Sequence, residues 1–88
     1  TMPSLERRME RLTDKTPVQR RTAYQMREVL CQHYRGKGSK GERLKAVDGF
    51  SESTYYRIQR EHPSLAYTIK RAARREAVRR WIRDLLGL

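Results

Sequence analysis

The chain has 88 residues, with 21 Lys and Arg against 10 Asp and Glu, a formal net charge of +11 and 36% apolar against 35% charged side chains. That length allows one modest core and argues against a second domain or a deep catalytic cleft. The positive field attracts phosphate polymers and anionic membrane surfaces alike, but no run approaches the ~20 apolar residues of a membrane span.

The N-terminal residues hold no apolar signal core, and the lone Cys31 has no internal disulfide partner, so a single cytoplasmic domain is expected. Within it, residues 1–16 should form a short helix and linker, 17–73 a helical core, and 74–88 a helical extension.

In chain order, Leu5, Met9 and Leu12 at i, i+4, i+7 predict a short amphipathic helix over residues 4–13. Thr16-Pro17-Val18-Gln19 offers a cap hydroxyl, a first-turn proline and a Gln, so a second helix is expected from Pro17. It runs to about Arg35, with Val18, Thr22, Ala23, Met26, Val29, Leu30, His33 and Tyr34 on one side and Arg20, Arg21, Arg27, Glu28, Gln32 and Arg35 on the other. Gly36-Lys37-Gly38 stops it.

Ser39-Lys40-Gly41-Glu42 is a capping-box pattern that opens a two-turn helix bearing Leu44 and Val47, and Asp48-Gly49 turns the chain. Ser51 is placed to cap the next helix, with Phe50 stapled onto Tyr55. His62-Pro63-Ser64 ends that helix and opens the last, which meets no Gly or Pro until Gly87. No segment alternates with period two. The expected fold is all-α, a small domain of four to five helices ending in a long basic one.

A short helix, a glycine turn and a second helix make a helix-turn-helix, in which one helix braces on the DNA backbone and the other enters the major groove. On the second helix, Tyr55, Ile58 and His62 point one way, and Ser53, Tyr56, Arg57 and Arg60 the other. The outward four are the candidate base readers, because an arginine fork matches guanine O6 and N7. Lys37, Lys40, Arg43, Lys45, Ser51 and Thr54 are the candidate phosphate contacts. The plainer alternative for the outward four is the solvated face of a basic helix.

Gly49-Phe50-Ser51-Glu52-Ser53-Thr54-Tyr55-Tyr56-Arg57, followed by His62-Pro63-Ser64-Leu65-Ala66, resembles the helix-turn-helix of phage terminase small subunits and the homeodomain-like modules of resolvases and transposases. The resemblance covers about residues 39–73. It implies a recognition helix opening near Glu52 and a following helix that leads to an oligomerisation region, and it implies no catalytic site.

The last helix changes face. Leu65, Ala66, Ile69, Ala72 and Ala73 cluster in its first half, whereas Val78, Trp81, Ile82, Leu85 and Leu86 cluster on nearly the reverse side of its second half. Val78, Trp81, Ile82 and Leu85 are therefore the candidate homodimer interface, the alternatives being a bend near Arg75 and Glu76 or closure on Leu5, Met9 and Leu12.

Gly36 to Gly41 lacks the G-x-x-x-x-G-K-[ST] spacing of a phosphate loop. Cys31, His33 and His62 make neither a four-ligand metal set nor a nucleophile with its base. The expectation is a DNA-binding adaptor or regulator without cofactor, metal or catalytic step. Structured RNA and a larger protein partner are the rival ligands.

Overall fold

The computed structural model describes residues 4–36, 47 and 49–87. Among them it has four helices, α1 (Leu5–Asp14), α2 (Arg20–Tyr34), α3 (Glu52–Glu61) and α4 (Pro63–Leu86), and no strand. Of the helix expected over residues 39–48 only Val47 is described, in a bend packed partly against the core, and Lys37, Lys40, Arg43 and Lys45 lie outside the described residues. No described helix is long and apolar enough to cross a membrane.

The first helix is capped by Ser4, whose Oγ accepts a hydrogen bond from the Arg7 N–H at 3.2 Å. Met9 is fully buried, with Leu5 and Leu12 packed partly against the same core. Thr13 is also buried, at no cost in unpaired groups, because its hydroxyl donates to the Met9 carbonyl at 2.6 Å.

The second helix begins at Arg20 rather than at the expected Pro17. Thr16 does not cap it; its amide and its hydroxyl both donate to the Thr13 carbonyl at 3.0 Å and finish α1 instead. Gln19 stays extended, and Val18 buries its side chain from this non-helical segment. The Arg20 guanidinium forks onto Asp14, Nε to Oδ1 at 3.0 Å and Nη2 to Oδ2 at 2.7 Å, which ties the two helix ends together. Ala23, Met26, Val29 and Leu30 are buried as their periodicity implies. Cys31 joins them, whereas His33 is exposed although it was expected on the apolar side.

The fourth helix packs against each of the other three, most extensively against α2. Its inner stripe, Leu65, Ala66, Ile69, Ala72, Ala73 and Ala77, is buried. The alanines let neighbouring helices approach closely, since their short side chains add little to the axial separation. Thr68 sits in the same stripe with its hydroxyl donating to the Ser64 carbonyl at 3.0 Å. The helix runs as one element from Pro63 to Leu86, passing Arg75 and Glu76 without interruption.

Away from the core, α2 and α4 are joined by charge. Arg80 donates from Nη1 and Nη2 to the Glu28 carboxylate at 2.9 and 2.7 Å, and from Nε to Glu76 at 3.2 Å. Gln32 donates to Glu28 at 3.1 Å. The Arg80 bonds hold the Glu28 carboxyl below its ordinary pKa, against the opposing effect of burial.

Two outcomes follow for stability. Ile69 is fully buried and Ile82 is 45% exposed on the same helix, so Ile69→Ala should cost about 2 to 5 kcal/mol in chemical denaturation. Ile82→Ala at low protein concentration should cost roughly 1 kcal/mol or less. Because the folded pKa of Glu28 lies below its unfolded value, its contribution is present above about pH 4.3 and lost as pH falls through the folded value. Glu28→Gln should therefore flatten the acid limb of a stability-against-pH curve, and an unchanged limb would discount the pair.

Candidate nucleic-acid interface

The approach to α3 is built locally, as its sequence requires. Gly49 holds φ at +80°, a left-handed conformation that glycine adopts without a steric penalty. Phe50, one residue on, is buried and anchors the turn in the core. Ser51 then caps α3: its Oγ accepts from the Thr54 N–H at 3.2 Å and lies 3.0 Å from the Ser53 hydroxyl and 2.8 Å from that of Thr54. Tyr55, at the staple position, packs partly buried against the same core as Phe50.

The helix is pinned through Ile58, which is fully buried. Ser53, Tyr56, Arg57 and Arg60 are all exposed on the side away from it, as the wheel requires. Tyr56 stands edge-on to Tyr55, with ring centroids 5.3 Å apart, and remains 47% exposed. Arg60 reaches Glu61 at 3.8 Å with both side chains mostly in water, a pairing that solvent and salt screen to little. Arg57 takes part in no ion pair among the described residues. Ser51 and Thr54 are at the same end of the helix; Ser51 is exposed and its oxygen already serves as the cap.

Charge is unevenly distributed. Glu6, Asp14, Glu28, Glu76 and Asp84 each pair with an arginine of α2, of its cap residue Arg35 or of α4, and Glu10 pairs with Arg20 and accepts from the Tyr24 hydroxyl. By contrast, residues 62–75 contain Lys70, Arg71, Arg74 and Arg75 and no Asp or Glu. Arg71 lies 5.9 Å over the Tyr67 ring and Arg74 5.1 Å over that of Tyr34, contacts that orient the cations without neutralising them.

Sequence reasoning missed two neighbours of the turn that precedes α3. The Arg21 and Gln25 side chains of α2 lie beside Gly49: a Cβ placed there would stand 3.6 Å from Gln25 Nε2 and 4.0 Å from an Arg21 terminal nitrogen. On the sequence both were simply polar positions of a helix, and nothing local connects them to a turn 24 or more residues later.

The second half of α4 presents the predicted reverse stripe, with Val78 53%, Trp81 59% and Leu85 67% exposed. It does not close on α1, whose Leu5, Met9 and Leu12 pack into the common core. An open groove of about 700 Å³ runs beside it, lined by Tyr34, Ala77, Val78 and Trp81 with Arg74 and the paired Arg35 and Asp84 at its margin. Cys31 is buried, and burial pushes its thiol pKa up, which disfavours the thiolate needed for nucleophilic chemistry. Compared with known protein families, curated proteins and solved structures, the chain matches none.

Proposed function

We propose that the protein binds double-stranded DNA, with α3 as the recognition helix of a helix-turn-helix, and acts as an adaptor or regulator without a catalytic step. The observation that carries this reading is the exposed row Ser53, Tyr56, Arg57 and Arg60 on a helix locked from behind by Ile58. A capped, stapled helix presents these side chains at fixed spacing, which direct reading of base edges needs. Arg57, which has no carboxylate partner among the described residues, is the strongest candidate for a bidentate contact to guanine. Affinity comes from the remaining cations on phosphates, which a chain of net charge +11 supplies in excess.

A second copy of the chain is the partner we assign to the apolar stripe of α4. Val78, Trp81, Ile82 and Leu85 are spaced 3, 1 and 3 residues apart, a spacing that reads the same in both directions. An antiparallel copy can therefore meet it with an identical surface, as a two-fold interface requires. Like-charge repulsion between copies is reduced at this end, because Arg35, Arg79 and Arg80 are already paired with carboxylates of the same chain.

In fluorescence titrations, Arg57→Ala should weaken binding to a duplex selected from a random pool by about 1 to 3 kcal/mol and relax its sequence preference. An equal loss on random duplexes would make Arg57 a phosphate contact. Tighter binding to structured RNA of equal length would replace DNA as the ligand. For the second copy, Ile82→Asp should turn a sedimenting dimer into a monomer that keeps its helical content and binds DNA more weakly, since paired half-sites no longer share one high effective concentration. A wild-type protein that remains monomeric at high concentration would dismiss that interface.

A further inference from the structure

Arg20 and Arg21 are adjacent in sequence, yet the fold treats them differently. Arg20 is committed to the carboxylates of Asp14 at 2.7 Å and Glu10 at 3.6 Å, and so serves the junction of α1 and α2. Arg21, one residue and about 100° further round the helix, is exposed and has no ion pair among the described residues. Its guanidinium lies beside the Gly49 turn, 4.0 Å from the point where a Cβ would stand. Two residues beyond that glycine, Ser51 caps α3. The packing of α2 thus delivers a guanidinium fork with no carboxylate partner among the described residues to the turn that precedes α3.

We propose that Arg21 is a backbone contact of the nucleic acid bound by α3, holding a phosphate oxygen at the edge of the surface that Ser53, Tyr56, Arg57 and Arg60 present. The assignment rests on the DNA-binding reading of α3. A phosphate, rather than a base edge, is the chemistry indicated, because Arg21 projects from another helix beside the turn and not from the outward row of α3. A Cβ on Gly49 would meet Gln25 and Arg21 at ordinary van der Waals distance, so the turn passes directly beside both side chains. Arg21 would fix register on the duplex, and Arg57 would read it.

Titration of the full chain with a selected duplex and with random duplexes, each over a range of salt concentrations, separates the possibilities. Arg21→Ala should lose roughly tenfold in affinity on both kinds of duplex, and the log-log salt slope should fall by about 0.9, the value of one phosphate contact. Arg21→Lys should retain the slope, since the contact needs the charge more than the fork. Arg21→Gln, which keeps a long polar side chain on the exposed helix position, should repeat the loss seen with Ala if the effect is electrostatic.

Unchanged affinity and slope in Arg21→Ala and Arg21→Gln, while Arg57→Ala still weakens binding, would overturn the assignment and leave the α3 reading intact. A loss confined to the selected duplex would also overturn it, by making Arg21 a reader of sequence. Absence of duplex binding by the unmutated chain would overturn both.

Discussion

The whole arrangement depends on one stripe of α4, Leu65, Ala66, Ile69, Ala72, Ala73 and Ala77, being removed from water by three other helices at once. In a chain with barely more apolar than charged residues, a core is possible only if one element is shared by all the others, because separate pairwise contacts would each bury too little. The alanines make this sharing feasible by letting the helices lie close together. Two threonines can join the core because each returns its hydroxyl bond to a carbonyl four residues earlier in its own helix.

That shared helix also divides the charge. The carboxylates of α1, α2 and the second half of α4 are drawn into ion pairs where these elements meet, with the Glu28, Arg80 and Glu76 group at the centre. Such partly exposed pairs add modestly to stability. Their larger effect is on the surface, since among the described residues they leave Lys70, Arg71, Arg74 and Arg75 on one half of α4, and Arg57 on α3, without a carboxylate partner. Part of the excess of positive charge that composition announces is thereby placed on these two faces.

The same packing sets the two roles of α4 in series. Its first half is consumed in holding α3 and the rest of the core, so its outer face is cationic. Its second half runs beside α1 and α2, to which Arg79, Arg80 and Asp84 tie it, and turns outward a face of Val78, Trp81, Ile82 and Leu85. In the proposed reading, DNA recognition and self-association are carried by different segments joined by one uninterrupted helix, so that the spacing of two recognition helices would follow from the length and stiffness of α4 rather than from a flexible linker.

Much of this was determined by the sequence alone, wherever the controlling interactions are local. The Ser51 cap, the burial of Phe50, the glycine turn and the Pro63 start lie within a few residues of what they control, and the 3.6-residue period by itself assigns Ile58 inward and Arg57 outward. The reversal of the apolar face along α4 was legible for the same reason. Tertiary structure decided the rest. The start of α2 moved from Pro17 to Arg20 because Thr16 finishes α1 and Val18 is buried from an extended segment, while Asp14 captures Arg20 across the junction. Cys31 and Ala77 became core because of what packs against them. Only the docking of α2 beside Gly49 separates Arg21 from Arg20, since two neighbouring arginines are chemically identical until a fold gives one of them a carboxylate and places the other beside the turn that opens α3.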